Sequence, residues 1–258
     1  NSWMQTPVGF ELRDGIAYPT DWFTIIFNPS FPYRFAHVLL ASGLTASFLV
    51  AGISAFRILR GDAKKAPKLT LKIAITAAMI LTPLQAFVGD LHGLNTFEHQ
   101  PQKIAAMEGV WHTERGAPLL LFALPDEALQ TNHFELPIPK LASFILTHDF
   151  DGEIKGLNEF PNAHPPVKPV FFSFRVMVGV GMLMIVVAWT AGFVLHRSAT
   201  LPNWLLKSLI TMTFSGWLAT LAGWYVTEVG RQPYLVSGIL TVEQAVTDIA
   251  ADHVAISL

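Results

Sequence analysis

Cysteine is absent from the 258 residues, which excludes disulfides, thiolate-ligated metals, iron–sulfur clusters and the covalent attachment of c-type haem. Charged side chains are scarce: they make up 14% of the chain, against 52% for hydrophobic residues, and the mean hydropathy is +0.43. This composition is too apolar for an ordinary soluble domain and is typical of a membrane protein. The net charge of −2 leaves no basic stripe for phosphate groups, so nucleic acid is excluded as a partner.

The two ends of the sequence lack the usual marks of a complete chain. Residues 1–15 have neither a basic start nor a continuous apolar core, so we expect no cleavable signal sequence. The first residue is not methionine, and residues 251–258 stop where a new apolar pattern begins. We therefore expect an internal piece of a longer protein.

Four uncharged runs approach or reach the roughly 20 residues that a bilayer-spanning helix needs; they cover residues 35–56, 73–89, 176–196 and 208–227. We predict an all-α fold, a polytopic membrane bundle of four transmembrane helices with one long periplasmic loop. Small residues inside the first and third runs suit close helix packing in lipid; they are Ala41, Ser42, Gly43, Ala46, Gly179 and Gly181.

Basic residues assign the loops to sides. The connections 57–72 and 197–207 are rich in lysine and arginine, with Asp62 as their one acid, and the positive-inside rule makes both cytoplasmic. The predicted organisation is a periplasmic segment 1–34, a transmembrane hairpin 35–89, a periplasmic loop 90–174, a second hairpin 175–228 and a periplasmic segment 229–258 that includes a candidate start of a further helix. The location is then a bacterial inner membrane, crossed several times.

Three potential metal ligands lie at one predicted depth, near the outer ends of their helices: His37, Met177 and Glu228. Imidazole and thioether together form an axial pair for haem iron. Taken singly, an interfacial histidine is more often a hydrogen-bonding group and a methionine more often packs in a core. Arg175 could pair with a haem propionate, raise the haem potential electrostatically, or only extend to the interface.

Position alone is compatible with three roles for Glu228: a haem ligand, a proton relay or a boundary charge. Of these, it favours the boundary charge. Trp224 and Tyr225 beside it belong to the interfacial aromatic belt. The following "GRQP" predicts a turn that glycine permits, with Arg231 and Gln232 free to approach an anionic group.

The outer loop mixes acids and bases with a short helical pattern in "GDLHGLNTFEHQPQKIAAMEGVWH". Its histidine spacings do not form a zinc signature such as His-Glu-x-x-His. The loop is either a solvated charged segment, which is the default, or a surface that binds a small polar-headed molecule at the membrane edge.

Four blocks of the sequence resemble those of a known family and occur in the same order. "GWYVTEVGRQPY" is similar to the signature Gly-Trp-x-x-x-Glu-x-Gly-Arg-Gln-Pro-Trp of subunit I of cytochrome bd-type quinol oxidases, and "RFAHVLLASG", "QKIAAMEGVW" and "FSFRVMVGVG" resemble three further blocks. The resemblance covers nearly the whole chain. It departs at Tyr234, where the family has tryptophan, and the short outer loop is similar to the branch often called cyanide-insensitive.

The resemblance implies roles for the residues that match. His37 and Met177 would be the axial ligands of a low-spin haem b, with Arg175 as electrostatic support. Glu228 would lie at a high-spin haem b, Trp224 between the haems, and Arg231 and Gln232 nearby. Residues Asp90, Lys103 and Glu108 would belong to the periplasmic quinol-binding loop, the Q-loop.

The implied activity is that of a quinol:oxygen oxidoreductase. Ubiquinol or menaquinol would be oxidised at the periplasmic side, and electrons would pass through haems b to an oxygen-reducing haem, either haem d or a further haem b. The implied partners are subunit II of the oxidase, membrane quinol and O2. The family also implies further helices before and after this piece, which carry another haem ligand and proton-path acids.

Two rival interpretations are a non-enzymatic transporter or structural subunit, and a di-haem b electron-transfer subunit without oxygen reduction.

Overall fold

The computed structural model describes residues 1–62, 64–198 and 200–246. Helices dominate it, and the strands form short antiparallel pairs outside the long helices. The elements in chain order are α1 (Ser2–Gln5), β1 (Phe10–Arg13), β2 (Ile16–Pro19), α2 (Trp22–Ile26), α3 (Phe31–Leu59), α4 (Lys65–His99), α5 (Pro101–Glu108), β3 (Glu114–Arg115), β4 (Leu119–Asp126), β5 (Thr131–Ile138), α6 (Leu141–Thr147), β6 (Glu153–Ile154), α7 (Val167–Arg197), α8 (Asn203–Thr211), α9 (Ser215–Val229), β7 (Tyr234–Val236) and β8 (Leu240–Thr241). The candidate start of a further helix, at residues 251–258, lies outside the described residues.

Four helical stretches are long and apolar enough to cross a membrane: α3, α4, α7 and the α8–α9 unit, which a 3₁₀ turn at Met212–Phe214 joins. The predicted membrane bundle of four transmembrane helices is therefore confirmed. Two helices are longer than the apolar runs indicated, since α4 continues past residue 89 to His99 and α7 begins at Val167 rather than near 176. Bilayer thickness limits the length of the apolar run, whereas the backbone hydrogen bonds of the helix can continue beyond that run.

The four stretches pack in a ring. α3 lies against α4 on one side and against α8 and α9 on the other, while α7 lies against α4 and α9. Within the described part of the chain, α3 and α7 share no extensive interface, so they occupy diagonal corners of the bundle.

Buried apolar side chains form three layers along the bundle. The inner layer includes Ala55 and Leu205, and the middle layer includes Leu44 and Met184. The outer layer joins the segment between α4 and α7 to the outer ends of the bundle, for example through Ile104 and Val226.

The outer segment has more regular structure than a loop. Its hairpin β4–β5 lies along the outer part of α7, where Phe122 packs near Phe172. Its short helix α5 is buried along most of its length. Strand-like alternation was missed in the sequence because the register of the hairpin shifts twice, between Leu120 and Phe122 and between Phe122 and Leu124.

Glycines mark the closest helix contacts, but only partly where the sequence suggested them. A Cβ atom at Gly43 would lie 3.0 Å from Leu81, as expected, whereas one at Gly179 or Gly181 would meet nothing within 4 Å. Among the described residues, Gly179 and Gly181 thus make no close helix contact, and close packing at these two glycines stays a prediction. Gly216 is the tighter position, because a Cβ there would lie 2.5 Å from the Cα atom of Thr45 on α3.

Candidate functional site

His37 and Met177 lie at similar depth on diagonal helices. Leu44 on α3 and Met184 on α7 belong to one buried layer, and each candidate ligand stands seven residues outward from its layer residue. Seven residues correspond to about two helical turns and about 10 Å along the axis. Both side chains therefore start from the faces that α3 and α7 turn toward the middle of the bundle.

The surroundings of both side chains are close-packed. The imidazole of His37 lies 5.5 Å from that of His92, centroid to centroid, and its buried Nδ1 has no hydrogen-bond partner among the described residues. A Cβ atom at Gly223 of α9 would lie 2.8 Å from the sulfur of Met177. Because Gly223 has no side chain, the thioether of Met177 has space to pack against α9.

Glu228 and Arg231 form an ion pair at the outer end of α9. Arg231 Nη2 donates to Glu228 Oε2 at 2.6 Å, and the side-chain amide of Asn1 binds both residues. Arg231 is 8% exposed. The two charges that interrupt the apolar run therefore satisfy each other, and the N-terminal segment covers them.

Gly230, beside this pair, has an ordinary helical backbone conformation with φ −68°. A Cβ atom there would lie 3.0 Å from Lys103 Cγ and would clash with the carbonyl oxygen of Val226. The predicted turn is present at residues 230–233, but Gly230 does not need a positive φ to form it. Glycine at 230 instead lets the Lys103 stem approach the end of α9.

Gln5 is a buried residue that the sequence analysis missed, with a relative exposure of 1%. Its Oε1 accepts hydrogen bonds from Lys103 Nζ at 2.6 Å and from Gln100 Nε2 at 2.9 Å. Its Nε2 donates to the carbonyl oxygen of Thr227 at 3.3 Å. One glutamine of α1 thus connects α5 to the residue before Glu228. No local pattern marks such a contact, because its partners are about a hundred and more residues away in sequence.

Lys103 is almost fully buried. Burial holds the pKa of Lys103 well below its usual range; Arg34 and Arg231 lower it further, and Glu228 opposes them. These four charged groups therefore share one region at the outer ends of α3, α5 and α9. Three of them are basic and one is acidic, so the region favours an anion.

Glu108 is buried against α7 rather than beside Lys103. Arg175 Nη2 lies 3.3 Å from Glu108 Oε2, and the same guanidinium donates to the carbonyl oxygens of Leu120 and Met107 and stacks 3.5 Å above the Phe171 ring. Burial raises the pKa of Glu108, and Arg175 opposes the rise. Every nitrogen of the guanidinium has a protein partner, which leaves Arg175 an electrostatic influence on its surroundings.

The remaining predicted site residues lie at the surface. Asp90 and Gln232 are exposed, and Trp224 is 57% exposed on the free face of α9. Hence the structure brings Lys103 near Glu228 and Arg231, and Glu108 to Arg175, but it does not bring Asp90 into contact with Lys103 or Glu108 among the described residues.

The fold and its buried polar groups define a polytopic helical membrane protein with potential metal ligands inside its bundle. The model of the cytochrome bd terminal oxidase subunit I family matches residues 1–258, so the chain belongs to that family. The predicted location in a membrane is likewise confirmed.

Relatives and a solved structure agree with this assignment. Cytochrome bd ubiquinol oxidase subunit 1 of Bacillus subtilis (strain 168) is 34% identical over 96% of this chain and 55% of its own length. A putative cytochrome bd menaquinol oxidase subunit I of the same organism is 32% identical over 94% of this chain and 56% of its own length. The bd oxidase structure from Geobacillus thermodenitrificans matches with a TM-score of 0.91 and 32% identity over 99% of this chain and 59% of that chain. The chain thus spans a little over half the length of these proteins.

Proposed function

We propose that this chain is the haem- and quinol-binding part of subunit I of a terminal quinol oxidase. In this proposal, membrane quinol is oxidised at the outer side, electrons pass through haems b to an oxygen-reducing haem d or b, and the reaction generates proton motive force. The observation that carries the proposal is the position of His37 and Met177, which lie at one depth on diagonal helices of the bundle.

The residues present fit a low-spin haem b between α3 and α7. His37 offers a buried ring nitrogen with no partner among the described residues, as a metal-binding imidazole requires. The sulfur of Met177 lies where Gly223 leaves space for it, and thioether is a soft ligand suited to haem iron. When bound, the haem would accept and pass on single electrons.

Glu228 is the proposed ligand at a high-spin haem b, with Arg231, Gln232 and Trp224 around it. Glu228 is held in orientation by Arg231 and Asn1, so its carboxylate is positioned before any ligand arrives. Trp224 on the free face of α9 would meet a neighbouring helix or haem. Subunit II and the remaining part of subunit I are the proposed partners on that side.

Quinol oxidation releases protons, which a carboxylate with a raised pKa can accept near neutral pH. Glu108 meets this need, because burial raises its pKa while Arg175 stabilises its charged form. Lys103 would hold the ring oxygen, and Asp90, exposed on α4, would contact the quinol from the surface. Since Lys103 and Glu108 are both buried, a quinol reaches them only when the outer segment moves. The names of the relatives include both ubiquinol and menaquinol, so the substrate is either of these two quinols.

The test is a reduced-minus-oxidised visible spectrum of the full-length subunit purified in its complex. We expect His37→Ala and Met177→Leu to remove the low-spin haem b signal, because each deletes one axial ligand. Met182→Leu is the matched control, since Met182 lies on α7 with 56% exposure and should leave the signal unchanged. A wild-type protein without a b-type band, or an unchanged low-spin spectrum in Met177→Leu, would contradict the proposal.

Oxygen uptake driven by reduced quinol separates an oxidase from an electron-transfer subunit. We expect Glu108→Gln to lower quinol-driven uptake while haem content stays near that of the wild type. Haem reduction by quinol without oxygen uptake in the wild type would instead favour the di-haem electron-transfer subunit.

A further inference from the structure

Arg34 is the basic residue of the outer polar region that has no partner in the described part of the chain. Its side chain makes no hydrogen bond and no ion pair there, and its Nε is buried without a partner. The other basic groups of the region each have a partner: Arg231 binds Glu228 through Nη2, although its Nε is also buried without a partner, and Lys103 binds Gln5. A partly buried guanidinium without an anion is costly, because its charge has lost water and gained nothing in return.

The position of Arg34 points to where that anion would lie. Arg34 stands three residues before His37 on α3, and therefore on the neighbouring turn of the same helix. The His37 imidazole lies 5.5 Å from that of His92, centroid to centroid. The acid that the described residues place in this region, Glu228, already binds Arg231 and Asn1. An anion beside the His37 imidazole would accordingly come from outside the described residues, and a bound molecule with a carboxylate meets this need.

We propose that Arg34 binds a propionate carboxylate of the haem that His37 ligates; the inference rests on the proposed function. A guanidinium is suited to this task because its planar donors bind carboxylate in two places. Arg175, the arginine that the sequence favoured, has every guanidinium nitrogen occupied by Glu108 and by carbonyl oxygens. Arg34 is thus the arginine left to hold the haem carboxylate.

The charge of Arg34 also has a redox consequence. A cation beside a haem propionate offsets its negative charge and so favours the reduced haem, which carries one electron more. Removing the cation should shift the equilibrium toward the oxidised form and lower the midpoint potential. A tenfold shift in that equilibrium corresponds to about 59 mV for one electron.

The experiment is a redox titration of the low-spin haem band in the full-length complex, with haem content measured in parallel. We expect Arg34→Gln to shift the equilibrium at least tenfold toward the oxidised form, and Arg34→Lys to shift it less. Arg60→Gln is the matched control at the inner end of the same helix, where Arg60 lies over Phe56, and it should leave the potential unchanged.

Haem binding in the variants separates the possible failures. Loss of haem in Arg34→Gln with retention in Arg34→Lys supports the inference, because the charge then holds the cofactor. The inference is overturned if Arg34→Gln binds haem with the potential of Arg60→Gln, or if Arg34→Lys loses haem as fully as Arg34→Gln. Absence of haem from the wild type would refute the proposed function itself.

Discussion

Replacing Gln5 by methionine tests the contact that connects the N-terminal segment to Lys103. Methionine keeps the length and approximate volume of glutamine but has no amide. The substitution removes the 2.6 Å hydrogen bond from Lys103 Nζ, whose remaining acceptor is the carbonyl oxygen of Thr227 at 3.4 Å. A hydrogen bond to a charged group contributes about 1.5–3 kcal/mol. We expect Gln5→Met to lower the free energy of unfolding by an amount in this range at a pH where Lys103 is protonated.

The effect should depend on pH, with a definite sign. The folded pKa of Lys103 is already low because of burial, and loss of the acceptor lowers it further. The unfolded chain binds this proton up to a pKa of about 10.4, so it binds more protons than the folded chain over the alkaline range. The stability of both proteins then rises with pH. The deficit of Gln5→Met should shrink as pH rises between the folded pKa of Lys103 in the variant and that in the wild type, and it should stay constant above both.

The assay is thermal unfolding of the full-length subunit in its complex, at one scan rate, followed by near-ultraviolet circular dichroism. Gln102→Met is the matched control, because Gln102 also belongs to the outer segment and its side chain makes no hydrogen bond with the described residues. In a Lys103→Met background, Gln5→Met should cost much less than in the wild type. Equal costs in both backgrounds, or a Gln102→Met protein as unstable as Gln5→Met, would refute the reasoning.

Three further predictions use the same complex. A Gly223→Ala change should alter the low-spin haem spectrum, because the new Cβ would lie 2.8 Å from the Met177 sulfur, whereas Gly179→Ala, which meets open space, should not. Gly216→Ala should destabilise the bundle by about 1–3 kcal/mol through overpacking, and an unchanged melting midpoint would count against the close contact between α9 and α3. Arg175→Met should cost about 3–5 kcal/mol by leaving Glu108 buried without its cation; adding Glu108→Gln should recover part of the loss, and no recovery would argue against the ion pair.

Hydropathy was sufficient to find the membrane helices because the bilayer imposes an apolar run of fixed length. It could not find where the helices end, since α4 and α7 keep their hydrogen bonds beyond the membrane. Hydropathy did not predict the hairpin β4–β5 either, because its bulges interrupt the alternation of apolar and polar residues that identifies a strand.

The positions of candidate site residues were predictable where they depend only on depth along a helix. Counting residues inward from the outer ends placed His37 and Met177 at one level, and the structure has them at one level. Lys103 and Glu108 show the limit of such counting, because five residues on a helix turn through about 140° and the two side chains face different neighbours. The contacts of Gln5 and the lack of a partner for Arg34 among the described residues depend on tertiary packing, which one sequence alone does not reveal.

The attachment of the outer segment to α7 limits how quickly that segment can respond to a ligand. The outer segment ends at the start of α7. This one uninterrupted helix, Val167–Arg197, carries both Arg175, which binds the outer segment, and Met177. A loose surface loop rearranges in nanoseconds to microseconds, whereas collective helix movements take microseconds to milliseconds. Arg175 of α7 holds the outer segment through an ion pair with Glu108 and hydrogen bonds to two carbonyl oxygens. Opening it should therefore be a slow step, on the timescale of an enzymatic turnover rather than of loop diffusion.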